Sequence, residues 1–153
     1  MFAFKDITYL TDGHLDLIIE KKVPATEETF LVPTYYFDIK RSGIPYPIGK
    51  IEIRIGYNEM TFYAGNIGYE IYPPYRGNHY ARRACEIIKR VAHLHGMKYL
   101  NVCCLPDNIA SNKTCQKIGG EFLGTYLIPF HNELYLFGIR EMNIYKWKIG
   151  IDY

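Results

Sequence analysis

The sequence predicts one mixed α/β domain, of the α+β kind, with helices packed on a sheet. Three stretches carry that expectation. Residues 66–72, NIGYEIY, are rich in β-branched and aromatic side chains and stop at Pro73-Pro74, because proline has no N–H to give a sheet ladder. Ala81, Ala84, Cys85, Ile88, Val91, Ala92 and His95 recur three and four apart, the spacing of one helix face, and Gly96 follows as a stop. Residues 97–104, MKYLNVCC, then read as a second strand. A strand, helix, strand passage of this kind needs a right-handed crossover between parallel neighbours.

The flanking elements follow in order. Residues 15–21 are an apolar run ending in charge, compatible with a short helix or a strand, and residues 23–29 read as a loop with a turn of helix. Residues 35–40 and 48–57 alternate as strands do and are joined around Ser42-Gly43-Ile44-Pro45, where glycine and proline favour a turn. Residues 61–64 read as one more strand after a turn at Asn58-Glu59. Past the central passage, Pro106 interrupts the chain. Asn108 is placed to cap a helix running through Ala110, Thr114, Cys115 and Ile118, which Gly119-Gly120 ends. Residues 122–128, 134–138 and 143–149 read as closing strands, with Trp147 in the core or against a partner.

Composition bounds the class. A chain of 153 residues is the size of one domain, here 1–153, and 48% hydrophobic with 16% aromatic residues is ample material for a core, which excludes disorder. The net charge of +2 comes from interspersed acids and bases, with no basic stripe, so no nucleic-acid partner is expected. The 15 tyrosines are spread over strand candidates and read as half-buried sheet residues rather than base-stacking platforms. Cys85, Cys103, Cys104 and Cys115 form no C-x-x-C pair, so neither a metal site nor a disulfide framework is predicted. The N-terminus lacks a charged leader with an apolar run, and no stretch approaches the roughly 20 apolar residues of a membrane span. A cytoplasmic protein with no membrane partner is expected.

Arg76-Gly77-Asn78-His79 falls where the long helix exposes unpaired N–H groups, which together carry roughly half a positive charge and bind phosphate. Arg82 and Arg83 add charge to a first turn that usually prefers acids, an inconsistency that a bound polyanion would resolve, the alternative being two arginines on a solvated face at a cost of at most about 1 kcal/mol. On these residues the chain resembles the GNAT superfamily of acyl-CoA-dependent N-acetyltransferases. Arg76-Gly77-Asn78-His79-Tyr80-Ala81 is similar to that family's Arg/Gln-x-x-Gly-x-Gly/Ala signature, and Asn108, Ser111, Lys117 and Gly119 are spaced as in its second block. Residues 35–39 and 48–54 resemble its early antiparallel strands. The resemblance implies a mixed, mostly antiparallel central sheet with helices on both faces. It also implies a splayed parallel strand pair, one strand ending near Tyr72 and the other near Cys104, that forms a cleft for coenzyme A.

The same resemblance implies acetyl-CoA as cosubstrate and an amine as acceptor, with a homodimer left open. The N–H groups of Arg76, Gly77, Asn78, His79, Tyr80, Ala81 and Arg82 would hold the pyrophosphate. The N–H near Ile71 would polarise the thioester, and Asn108 and Ser111 would contact the coenzyme's arm. The chain departs from the signature at His79, where glycine is usual, and at Cys115, where many members carry a tyrosine as general acid. An alkyl amine with a pKa of about 10.4 arrives protonated and needs a base. Glu70 is the candidate, a carboxylate paired with a neighbouring lysine or arginine being the alternative. Cys115 is the positional candidate for the acid, with Tyr80 and Tyr126 as other donors; His93 and His95, two apart on a helix, read as structural. Three functions stand: acetyl transfer to a small-molecule amine, expected first; transfer to a protein N-terminus or lysine; and coenzyme A binding without catalysis.

Overall fold

In the computed structural model, which describes residues 1–150, the first five strands form one antiparallel sheet in sequence order. They are β1 (Tyr9–Thr11), β2 (Leu15–Val23), β3 (Thr34–Arg41), β4 (Pro47–Arg54) and β5 (Ile67–Ile71). Their period-two alternation separates two faces. Leu17, Phe37, Ile39, Ile51 and Ile53 turn inward and are buried, while Tyr36, Lys50, Glu52 and Glu70 share the opposite face. The inward face is covered by α2 (Tyr80–Leu94), which buries Ala84, Cys85, Ile87, Ile88, Val91 and Ala92.

A second antiparallel sheet has the order β6 (Tyr99–Cys104), β8 (Glu141–Lys148), β7 (Glu121–Leu127), with α3 (Ile109–Lys117) between β6 and β7 in the chain. Trp147 is buried in the main core. The ambiguous run at 15–21 is a strand, because its inward members Leu15 and Leu17 pair across to β3. Two expected strands are helical instead. Residues 61–64 belong to α1 (Glu59–Ala64), where Asn58 Oδ1 accepts from the Thr61 N–H and Thr61 Oγ1 from the Asn58 N–H, both at 2.9 Å. That reciprocal cap outweighs the aromatic strand preference of Phe62 and Tyr63. Residues 134–138 hold the single turn α4 (Glu133–Leu136), capped by Asn132 Oδ1 on the Leu134 N–H and closed by Gly138 at φ 89°.

The two sheets meet at Asn66. Its N–H donates to the Asn101 carbonyl at 2.7 Å, and its Oδ1 accepts from the Asn101 N–H at 2.9 Å. Its Nδ2 donates to the carbonyls of Arg54 at 3.0 Å and Gly56 at 2.7 Å. Gly65 allows the approach, since a Cβ there would lie 3.1 Å from the Asn101 carbonyl oxygen. Beyond this joint β5 and β6 belong to different sheets, and a cavity is walled by β5, the start of α2 and α3.

His93 and His95 meet separate partners: His93 the Ile149 carbonyl, and His95 Nε2 the Tyr35 hydroxyl at 2.6 Å. Among the described residues, no group of three or more His, Cys, Asp or Glu could hold a metal ion, and no helix is long and apolar enough to cross a membrane.

Candidate active site

The cavity has a volume of about 600 Å³, and every site residue derived from the sequence lines it except Asn78, Cys115 and the alternative donor Tyr126. Its mouth is the loop entering α2. The Arg76 N–H donates to the Pro73 carbonyl at 3.3 Å, and the Arg83 N–H to the His79 carbonyl at 3.2 Å. Between them, among the described residues, no backbone N–H of residues 77–82 donates to another protein group. Six consecutive free donors at a helix N-terminus are what an anion needs, and they fit a pyrophosphate. The Arg76 N–H drops out of the expected set, and its side chain is also engaged, Nε donating to the Ile71 carbonyl at 2.8 Å. Asn78 serves the turn, its Nδ2 donating to the Tyr75 carbonyl at 3.1 Å.

The two arginines of the first helical turn have different fates. Arg83 reaches Asp12 at 3.0 Å. Burial pushes the Asp12 carboxyl up, but the N–H groups of Leu15 and His14, together with Arg83, outweigh it and hold the group below its usual range. Arg82 makes no ion pair among the described residues and lines the cavity, where Lys113 and Lys117 of α3 add cationic charge. Arg82→Ala is therefore expected to weaken acetyl-CoA binding about tenfold, more at low salt, while Arg83→Ala leaves it within about twofold. Calorimetric titration of both variants checks this.

His79 holds the N-cap with φ 61° and ψ 20°, a left-handed conformation that costs a β-branchless but bulky residue about 1 kcal/mol, and its side chain makes no capping hydrogen bond. His79→Gly is expected to raise stability by about 0.5–1 kcal/mol, after allowing for glycine's greater unfolded-state entropy. Acetyl-CoA affinity should be kept or tightened in the same thermal melts; a large loss would show that the imidazole contacts the coenzyme.

The β4–β5 ladder orients Ile71. The Tyr72 N–H donates to the Ile48 carbonyl and the Arg54 N–H to the Asn66 carbonyl, so the even-numbered residues of β5 face β4. Ile71, opposite Gly49, therefore turns its N–H and carbonyl away from β4, toward the cavity, where Arg76 occupies the carbonyl and the N–H meets no protein acceptor among the described residues.

On the facing wall, Asn108 caps α3, its Oδ1 accepting from the Ser111 N–H at 3.1 Å, and it also lines the cavity. Asn112 ties the loop before α3 to β8: its Nδ2 donates to the carbonyls of Leu105 and Asn108, and its Oδ1 accepts from Asn143 and Tyr145. Cys115 turns into the core, 1% exposed, where its contact with Cys104 and its burial push the thiol far up. Tyr126 sits against Phe62 in the smaller hydrophobic cluster, and Tyr80 lines the cavity.

A second depression of about 450 Å³ lies on the polar face of the first sheet, with Glu20, Tyr36, Glu52 and Lys50 along it. Tyr69 and Glu70 border both spaces. Glu70 is exposed and makes no ion pair among the described residues; Lys50, opposite it across the β4–β5 ladder, is paired with Glu20 at 3.6 Å. Tyr69, Lys113 and Thr114 were not foreseen as site residues; the alternation of NIGYEIY already put Tyr69 on the face of Ile67 and Ile71.

Residues 15–121 match the family model described as an acetyltransferase (GNAT) domain. Among solved structures, the microcin C7 self-immunity acetyltransferase MccE, in complex with acetyl-CoA and AMP, is similar at 22% identity and a TM-score of 0.58. That match covers 76% of this chain and 61% of MccE, so the chain spans less than two thirds of that protein. A putative ribosomal-protein-serine acetyltransferase from Vibrio cholerae is similar at 16% identity and a TM-score of 0.67, over 94% of this chain and 98% of that one. The ribosomal-protein-S5-alanine acetyltransferase from Vibrio fischeri gives 16% identity and 0.66, over 92% and 96%. At these identities the likeness concerns the fold. Comparison with curated proteins finds no match.

Proposed function

This chain belongs to the GNAT family of acetyltransferases, and from that premise we propose that it moves an acetyl group from acetyl-CoA to a primary amine of a small molecule, by direct transfer in a ternary complex. One observation carries the reading: a cavity beside the free N–H groups of residues 77–82 shares Tyr69 and Glu70 of β5 with a separate polar groove. Acetyl-CoA, when bound, supplies an activated thioester carbonyl. The N–H groups of residues 77–82, with Arg82, Lys113 and Lys117, hold its phosphates; Asn108 and Ser111 border its arm. The Ile71 N–H donates to the carbonyl oxygen, where charge develops. Glu20 and Glu52 are paired with Lys50 and Arg54, which leaves Glu70 as the groove carboxylate that meets the ammonium ion and takes its proton so that the nitrogen lone pair can attack. Holding both reactants across one strand supplies much of the remaining rate.

A protein N-terminus is the second reading. Glu20, Lys21, Lys50 and Glu70 are all exposed, so the groove is open enough for a chain end to enter, and the two Vibrio proteins are named for ribosomal-protein acceptors. A thiol-release assay with acetyl-CoA across a panel of small amines and peptides separates the two. Faster release with small amines is expected. Release with peptides alone overturns the small-molecule acceptor, and binding of acetyl-CoA with no release from any amine leaves a coenzyme-binding module.

A further inference from the structure

The acids along the polar groove are matched by cations, with one exception on β5. Glu52 is held by the buried guanidinium of Arg54 at 3.4 Å, and Glu20 by Lys50 at 3.6 Å. Glu70 has no cation among the described residues, although Lys50 stands directly opposite it on β4. Side chains opposite each other in an antiparallel ladder have Cβ atoms about 5 Å apart, near enough for a carboxylate and an ammonium group to meet. Lys50 instead leans the other way, over β3, to Glu20 on β2. That contact is longer than a good charge-assisted hydrogen bond, and its side chains are 52% and 36% exposed, so it holds Lys50 only lightly. An unpaired carboxylate and a lightly tethered ammonium group thus stand side by side. The last cation on the groove, Lys21, has its Nζ 4.7 Å from the centre of the Tyr36 ring and pairs with no acid among the described residues. Glu20, Glu52 and Glu70 are therefore balanced by Lys21, Lys50 and Arg54. A groove without surplus charge complements a neutral zwitterion; a bare ammonium ion would be better served by an excess of acids.

Resting on the acetyl-transfer reading, we propose that the acceptor is an α-amino acid, whose ammonium group meets Glu70 and whose carboxylate, one carbon away, draws Lys50 from Glu20. Lys50 then selects the acceptor, and Glu20 parks the lysine until the acceptor arrives. The nitrogen loses two protons as it becomes an amide: one completes the coenzyme's thiol, and the other leaves through Glu70 to solvent. The acceptor's carboxylate takes no part in the transfer, and the products are an N-acetyl amino acid and free coenzyme A. A peptide N-terminus carries an amide where the amino acid has its carboxylate, so Lys50 discriminates against it.

Thiol release from acetyl-CoA tests this with acceptors taken in threes: an amino acid, the amine that lacks its carboxyl group, and its amide, which stands for a peptide N-terminus. In the wild type, kcat/KM is expected to be at least about tenfold higher for the amino acid than for the other two, the usual worth of one charge-assisted hydrogen bond. Lys50→Met should remove that preference, chiefly by raising KM for the amino acid, and leave the carboxyl-free amine within about twofold. Glu20→Gln, which breaks the same ion pair but frees the lysine, should lower KM for the amino acid alone. If the pair were merely structural, the two variants would change all three acceptors alike. That outcome, a preference that survives Lys50→Met, or an amine or amide used as well as the amino acid would each overturn the amino-acid acceptor and leave acetyl transfer standing. Bound acetyl-CoA with no thiol released by any acceptor would overturn both.

Discussion

Asn66→Ala is expected to lower the free energy of unfolding by about 3–5 kcal/mol, among the largest losses a single substitution can cause in a chain of this size. Asn66 is fully buried and its side chain serves three backbone groups, the carbonyls of Arg54 and Gly56 and the N–H of Asn101. Alanine leaves all three without that partner, and each buried orphan costs about 1–3 kcal/mol. Asn66→Asp should be no better, because it keeps an acceptor for Asn101 but turns an oxygen toward two carbonyls. Urea unfolding reads both as a lower midpoint at unchanged slope. Since the same side chain fixes where β5 and β6 part, acetyl-CoA protection against heat should shrink along with stability. A loss below about 1 kcal/mol would mean that the two sheets are held together elsewhere.

Glu70→Gln is expected to lower kcat about 100-fold or more, the usual worth of a general base, with acetyl-CoA affinity unchanged within about twofold. The residue borders both the coenzyme cavity and the groove, and it is a free carboxylate on the strand between them. Glutamine keeps the shape and removes the proton acceptor. The alternative role is attraction of an ammonium ion without proton transfer. It predicts a raised KM at nearly unchanged kcat, which steady-state kinetics with any accepted amine distinguishes.

The central passage was legible in the sequence because each of its signals is local. The proline stop after Tyr72, the helical spacing from Ala81 to Val91 and the glycine at 96 need no distant partner to act. The elements misread at 61–64 and 134–138 are also local, but their signal lies outside the apolar run, in the capping asparagines Asn58 and Asn132. Reading only the aromatic residues gave strands. For the site, the free donors at 77–82 follow from where a helix must begin. The burial of Cys115 and the contact of Tyr69 with Ser111 depend on how α3 rotates against β5 and β6, which no short window of sequence specifies. Arg82 and Arg83 looked equivalent in the chain, and only the distant turn holding Asp12 separates them.

Binding of a diphosphate by the free backbone donors at the start of α2 is tested most directly by amide spectra of the protein titrated with acetyl-CoA. The largest shifts are expected at the N–H resonances of residues 77–82 and at Ile71, with residue 76, already bonded to Pro73, moving less. Shifts confined to the polar groove around Glu52, or to the second sheet, with residues 77–82 unmoved at saturation, would contradict it.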